Sequence, residues 1–135
     1  MPGAMGRDAL RQLLWVFLAG GTGATLRVVL GGLLDARLGE RFPYVGTLVV
    51  NLIGCFAIGL AAAVLPAGTP RTAIIGGLLG GFTTYSAFAL FSFELVRDER
   101  LGVLALQIGL HLSLGILLAA AGMALGRMLV PSPGE

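Results

Sequence analysis

A glycine-rich segment followed by hydroxyl residues lies inside a long apolar stretch of the chain. Residues 76–88 read GGLLGGFTTYSAF, so four glycines precede Thr83, Thr84 and Ser86. At membrane depth, backbone that lacks helical hydrogen bonds is tolerated only where protein or a water-filled cavity surrounds it. The segment therefore predicts a break in a membrane helix, with freed backbone groups that hold an ion or a substrate. Close helix packing is the other interpretation, since the glycines form pairs at four-residue spacing.

An amide and a hydroxyl share one face of the preceding apolar stretch. Asn51 lies about eight residues into that stretch, and Thr47 lies one helical turn earlier. Both side chains need hydrogen-bonding partners at that depth. They either bond to a neighbouring helix or form a polar track, because Asn offers two N–H donors and Thr one O–H donor.

Two aromatic residues next to the hydroxyl cluster could contact an anion. Tyr85 and Phe88 are three residues apart and are neighbours on a helix. An aromatic ring is negative on its face and positive at its edge, so ring edges can solvate an anion without trapping it. The alternative is that both rings pack against helices or face lipid.

Composition and hydropathy define the elements that must position these residues. The chain has 135 residues, of which 56% are hydrophobic and 12% charged, about half the charged share of typical globular proteins. Apolar segments cover residues 12–34, 44–65, 71–96 and 101–130, and each exceeds the roughly 20 residues needed to cross a bilayer. We predict an all-α integral membrane protein with a single four-helix transmembrane domain over residues 1–135. Scattered arginines and a net charge of +2 do not indicate a nucleic-acid partner.

Few charged or strongly polar side chains lie within these segments. Arg27 snorkels or holds a vestibule at the end of the first helix, and Glu94 reaches the interface near the end of the third. The fourth segment carries Gln107 and His111 one turn apart, with Ser113 on roughly the opposite side. His111 is either a packing residue or a functional one, because ionisable groups are costly in hydrocarbon. One histidine and one cysteine cannot build a metal cluster, and no nucleophile–base pair indicates an enzyme.

The arginines are balanced between the two ends of the predicted helices, and the chain contains no lysine. One end carries Arg7, Arg11, Arg71 and Arg127, and the other carries Arg37, Arg41, Arg97 and Arg100. Since an excess of Lys and Arg on one side sets membrane orientation, this tie predicts dual topology and an antiparallel homodimer. Independently of the charge count, four helices leave little room for a wide pore within one protomer, so a transport path would form at a subunit interface. The alternatives are a chance tie or an orientation set by the insertion machinery.

Three motifs together resemble the CrcB/Fluc fluoride channels of bacteria. They are GGTGATLR at residues 20–27, GTLVVNLIG at residues 46–54 and GGFTTYSAF at residues 80–88. The resemblance spans three of the four predicted helices, in order and with the family's spacing. It implies a dual-topology homodimer in the bacterial cytoplasmic membrane that exports toxic fluoride passively through two pores.

The resemblance also assigns roles by motif position. The implied pore residues are Asn51, the ring pair Tyr85 and Phe88, the polar-track residues Thr47 and Ser86, and Arg27. Main-chain carbonyls of Gly80 and Thr83 from both subunits would hold a structural sodium ion at the dimer interface. The family usually has Phe at the position of Tyr85 and Thr at that of Ala87. It places hydroxyl residues on the fourth helix, where Gln107, His111 and Ser113 are held here as weaker pore candidates, together with Glu94.

Two other functions remain open from the sequence. A small dual-topology multidrug or cation exporter would have the same helix count and a similar length. Such exporters need an acidic group where the substrate binds, and the first three segments hold no carboxylate at depth. A non-transporting scaffold would use the glycines for packing alone and leaves Asn51 and the cluster at residues 83–86 without a role. The sequence also leaves open whether the partner is a second copy or a paralogue.

Overall fold

The protein, described here by a computed structural model over residues 6–130, consists of four long helices. They are α1 (Arg7–Leu38), α2 (Val45–Val64), α3 (Thr69–Arg97) and α4 (Leu101–Leu129). Each is long and apolar enough to cross a membrane, and the described residues contain no strand. The predicted all-α chain with four membrane-spanning helices is therefore confirmed. The prediction of one domain includes residues 1–5 and 131–135, which lie outside the described residues.

The helix boundaries differ from the apolar segments mainly at α1. This helix begins at Arg7 and ends at Leu38, whereas the apolar segment covers residues 12–34. Hydropathy marks only the part of a helix that suits hydrocarbon, and polar turns can continue beyond it. Asp8 in the first turn and Arg37 in the last turn both interact favourably with the helix dipole and support these extensions.

The winding of α3 changes along its length. It consists of an α-helical turn at Thr69–Arg71, a π-helix at Thr72–Leu79, an α-helical turn at Gly80–Phe82 and an α-helix at Tyr85–Arg97. Between the last two, Thr83 and Thr84 have extended backbones with ψ angles of 157° and 114°. A π-helical stretch is rare and is often found at functional sites. The Thr83 N–H still bonds to the Leu79 carbonyl at 2.9 Å, but the N–H of Thr84 has no acceptor within its own helix, so another group must satisfy it.

Small residues bring the backbones of α1 and α3 into contact. A Cβ atom on Gly23 would overlap the carbonyl oxygen of Leu78, and one on Gly81 would overlap that of Gly20. Gly77 lies one turn before Gly81 and also faces α1. Close packing against α1 is therefore confirmed for the α3 pair Gly77 and Gly81. The contacts fix the height of the two extended threonines relative to α1.

Helices α2 and α4 lie side by side and run in the same direction. Asn51 of α2 lies opposite His111 of α4, and Cys55 lies opposite Gly115 one turn further along both helices. This parallel register follows from the topology, because two spans separated by a third re-enter the membrane from the same side. It brings the single amide of α2 and the single imidazole of α4 to the same depth.

The outer surface of the protomer is strongly apolar. Phe17 of α1 is 76% exposed and Met128 of α4 is 83% exposed, whereas Val50 of α2 and Leu95 of α3 are among the few large side chains that are buried. In water such a surface would cause aggregation, but hydrocarbon solvates it. Stability of the protomer therefore depends on close backbone packing more than on a wide hydrophobic core.

We expect that the substitution Gly122→Ala destabilises the protein and that Gly109→Ala does not. Both glycines lie on α4, so the gain in helix propensity is the same. A Cβ on Gly122 would overlap the carbonyl oxygen of Phe56 on α2, whereas Gly109 has nothing within 4 Å. Overpacking typically costs about 1–3 kcal/mol. Thermal unfolding in detergent measures the difference, and equal midpoints for the two variants would contradict the proposed backbone contact.

Candidate functional site

Asn51 pairs with the extended backbone of Thr84. Its Oδ1 accepts a hydrogen bond from the Thr84 N–H at 2.8 Å, and its Nδ2 donates to the Thr84 carbonyl at 3.0 Å. Thr84 is 7% exposed, so water cannot readily satisfy these two backbone groups. The side-chain amide therefore replaces the hydrogen bonds that the extended conformation removes. The predicted need of Asn51 for hydrogen-bonding partners is thus met in part by the backbone of the neighbouring helix α3.

The same arrangement releases two carbonyl groups. In an uninterrupted α-helix, the N–H groups of Thr84 and Ala87 would bond to the carbonyls of Gly80 and Thr83. Here the Thr84 N–H bonds to Asn51, and the Ala87 N–H bonds to Oγ1 of Thr84 at 3.2 Å as an N-cap. The carbonyls of Gly80 and Thr83 thus lose their helical donors. These are the two carbonyls that the sequence resemblance assigns to a sodium ion.

His111 contacts Asn51 from α4. The distance from His111 Nε2 to Asn51 Nδ2 is 3.3 Å, and His111 Nδ1 lies 2.9 Å from the Gln107 carbonyl. A carbonyl can only accept, so Nδ1 carries the hydrogen in the neutral ring and Nε2 accepts from Asn51. All three hydrogen-bonding groups of the Asn51 amide are therefore engaged within the protomer. His111 is thus more than an isolated packing residue.

Two aromatic rings lie beside this polar group. The Phe88 ring lies 4.3 Å from the His111 ring between centroids, with the planes tilted by 39°. Tyr85 lies 5.9 Å from Phe88 at 52°, and its side chain is 79% exposed on the protomer. Neither pair of rings is stacked in parallel.

Asn51, His111 and the two rings line one open cavity of about 330 Å³. The remaining lining residues are Gly54, Cys55, Ile58, Thr83, Thr84 and Leu112. The described lining contains no Asp, Glu, Lys or Arg. Its polar groups are therefore neutral donors and acceptors, apart from the titratable His111. Such a site can hold an ion without the strong attraction of a fixed opposite charge.

Two lining residues were not recognised as such from the sequence. Thr84 was one of several hydroxyls in the motif, although its backbone is the partner of Asn51. Its position as the residue before a resumed helix is the available signal, because Thr is a common N-cap. Cys55 is half-buried and lines the cavity one turn from Asn51.

Ser86, Thr47 and Arg27 lie outside the cavity lining. The Ser86 hydroxyl is 3.2 Å from that of Thr84, so it joins the polar cluster at the start of the resumed helix. Thr47 is half-buried, one turn before Asn51 on α2. The Nε of Arg27 is buried and has no hydrogen-bond partner among the described residues. The roles of these three residues in a path stay predictions.

The weaker pore candidates have partners within the protomer. Gln107 is 2% exposed and its side chain donates to the Pro43 carbonyl in the loop before α2. Ser113 is exposed and donates to the Gly109 carbonyl of its own helix. These contacts do not bring either side chain to Asn51, and their pore roles also stay predictions.

Glu94 is bound by an aromatic residue at the start of α2. The Tyr44 hydroxyl donates to Glu94 at 2.8 Å, and the Tyr44 ring stacks on Phe91 with centroids 4.2 Å apart. The hydrogen bond to Glu94 raises the pKa of the Tyr44 phenol above its ordinary value, and burial and the carboxylate charge act in the same direction. Tyr44 has a left-handed φ of 60°, which is costly for a bulky residue, so these contacts help to hold the loop in place.

Comparison with known proteins places the chain in a family. Residues 14–123 match the family described as CrcB-like protein, Camphor Resistance (CrcB). The chain is 41% identical to a protein named fluoride-specific ion channel FluC in Acidobacterium capsulatum, over 88% of this chain and 98% of that one. A protein of the same name in Solidesulfovibrio magneticus is 38% identical, over 89% of this chain and 99% of that one. Another protein of that name, in Xanthomonas euvesicatoria, is 34% identical over 89% of this chain and 93% of that one. The chain therefore belongs to the CrcB-like family.

Proposed function

We propose that this protein is a fluoride-specific ion channel that exports fluoride passively and lowers its cytoplasmic concentration. The observation that carries the proposal is a donor amide, Asn51, fixed by the Thr84 backbone in the wall of a cavity without fixed charge. Family membership and the names of the relatives support it. The four spans and the family together make the chain a multi-pass protein of the bacterial cell membrane.

The chemistry of the cavity suits a small, strongly hydrated anion. Fluoride must exchange its water for several donors, and these must be weak enough individually to let it leave. Asn51 can supply an N–H group in exchange for one of its present hydrogen bonds, and the edges of Tyr85 and Phe88 can supply weakly positive hydrogens. Thr47 and Ser86 extend this set as hydroxyls along the path, and Arg27 raises the anion concentration at one mouth. The exporter alternative lacks an acidic group in the described cavity lining.

We further propose that the carbonyls of Gly80 and Thr83 hold a structural sodium ion at the dimer interface. The fit rests on the redirected N–H groups of Thr84 and Ala87, which leave both carbonyls without helical donors. Uncharged carbonyl oxygens are suitable ligands for a hard cation. When bound, the ion would supply positive charge that compensates these oxygens. Gly80 is exposed on the protomer, as a shared site between two copies requires.

The assembly proposed here is an antiparallel dual-topology homodimer. Apart from Arg27, which lies within α1, the arginines form two groups of equal size at the two opposite ends of the four spans. An equal count gives neither orientation an electrostatic advantage. The break at Thr83 and Thr84 then lies near the middle of each copy, where two oppositely inserted protomers can align. Tyr85, largely exposed on one protomer, would be covered by the partner.

We expect that Asn51→Asp abolishes fluoride efflux from liposomes. Aspartate keeps an oxygen for the Thr84 N–H but loses both N–H donors and adds a negative charge that repels the anion. A fluoride electrode measures efflux, with chloride tested in parallel and Leu117→Ala, a 63% exposed position on α4, as the matched control. Fluoride efflux equal to wild type in a folded Asn51→Asp dimer would remove Asn51 from the path.

A second prediction concerns the sodium ion. Replacing Na⁺ by a large organic cation should lower both fluoride efflux and dimer stability in detergent. Thr84→Val removes the hydroxyl that accepts the Ala87 N–H, so that N–H can return to the Thr83 carbonyl and weaken the site. The variant should need more Na⁺ than wild type to reach half-maximal dimer stability.

The matched control for this experiment is Thr72→Val. That hydroxyl is exposed and bonds only to the Gly68 carbonyl at the start of the same span. Dimer stability is followed by size-exclusion chromatography across a Na⁺ titration. Stability that does not change with Na⁺ in wild type would refute the sodium site, whatever the efflux result.

A further inference from the structure

The hydrogen bonds of Asn51 leave no free donor for an anion. One N–H goes to the Thr84 carbonyl at 3.0 Å and the other goes to His111 Nε2 at 3.3 Å, while Oδ1 accepts from the Thr84 N–H. An amide has two N–H hydrogens, so both are used. An anion can therefore receive an N–H from Asn51 only if it displaces one of these two acceptors.

His111 is the acceptor that is easier to displace. The bond to Thr84 is one half of a reciprocal pair with a 7% exposed residue, so losing it would leave a buried backbone carbonyl without a donor. The bond to His111 is the longest of the three, and the ring lines the cavity. The Gln107 carbonyl holds the hydrogen on Nδ1 and keeps Nε2 as an acceptor in the neutral ring. The neutral imidazole thus competes with an anion for the Asn51 N–H.

A proton on Nε2 would reverse this relation. The protonated ring has no acceptor to offer Asn51, so the Asn51 N–H is released into the cavity. The Nε2–H becomes a second donor at the same point, and the ring gains a positive charge. A group that binds its proton more tightly when an anion is present must also strengthen anion binding when it is protonated.

We propose that His111 is an anion-binding residue whose protonation is linked to occupancy of the Asn51 site. This inference rests on the proposed fluoride function and adds a proton linkage to it. The other titratable side chains that line the cavity are Cys55 of α2 and Tyr85 of α3. The carboxylate of α3, Glu94, is bound by Tyr44. His111 is thus the lining side chain of the type whose ordinary pKa lies closest to neutral pH.

The test measures the fluoride concentration that gives half-maximal efflux from liposomes. Both compartments are buffered at the same pH, from about pH 5.5 to about pH 7.5, which brackets the ordinary pKa of imidazole. Sodium is kept constant, and protein-free liposomes report leakage of HF through the lipid at each pH. For wild type, we expect the half-saturating concentration to fall roughly three- to tenfold toward the acidic end, the effect of gaining about one hydrogen bond.

Two substitutions separate proton linkage from a structural role. His111→Gln can keep an acceptor for Asn51 but does not titrate, so its half-saturating concentration should match wild type at the alkaline end and stay constant with pH. His111→Ala removes the competing acceptor, so its value should be low and also independent of pH. Leu117→Ala, exposed on the same helix, should retain the wild-type pH profile.

The possible outcomes distinguish this inference from the function on which it rests. Wild-type efflux no faster than that of protein-free liposomes refutes the fluoride channel and the linkage together. Fluoride efflux whose half-saturating concentration does not change with pH leaves the channel established and refutes the linkage. A pH dependence that persists in His111→Gln also refutes it, by assigning the proton to another group. The wild-type profile alone tests the linkage if either His111 variant does not fold.

Discussion

The described site depends on one reciprocal hydrogen-bonded pair, between the side-chain amide of Asn51 and the backbone of Thr84. Hydrocarbon cannot satisfy backbone N–H and C=O groups, so an extended residue at membrane depth requires a donor and an acceptor from elsewhere. A primary amide carries both in one plane and can replace a peptide group. Without this amide, the N–H and the carbonyl of the extended Thr84 would have no partners. A continuous helix would then be more favourable than the extended conformation.

The helix contacts matter because this pair has strict geometric requirements. Asn51 and Thr84 lie 33 positions apart on different helices, so their meeting depends on the axial register of α2 and α3. Glycine contacts fix that register through α1, because Gly46 of α2 and Gly81 of α3 each pack so closely on the α1 backbone that neither helix can slide without a clash. Gly54 illustrates this constraint beside the site itself, since a Cβ there would overlap the Thr83 side chain. The same small residues thus serve packing and function.

Some features of the fold and the site could be predicted from residue type, whereas others depend on how the helices align with one another and could not. The four spans and the need of Asn51 for partners could be predicted, because apolar length and a buried amide have large energetic consequences in hydrocarbon. The choice of partner could not, since it depends on how the helices align. Gln107 lies one turn from His111 yet bonds to Pro43, because the alignment of α2 and α4 brings the residues before α2 next to it. The π-helical winding of α3 also has no clear signal in its composition.

The Asn51–Thr84 pair also links groups of opposite polarity. By taking the Thr84 N–H, Asn51 frees the Gly80 carbonyl, an acceptor suited to a cation. By the same contact its Nδ2 is held at the cavity wall, where N–H donors suit an anion. A shift of Thr84 back into helical conformation would remove the carbonyl ligand and release the amide together. In the proposed channel, a cation held by the Gly80 carbonyl and an anion held by Asn51 would therefore be coupled through one residue, without any direct contact between the ions.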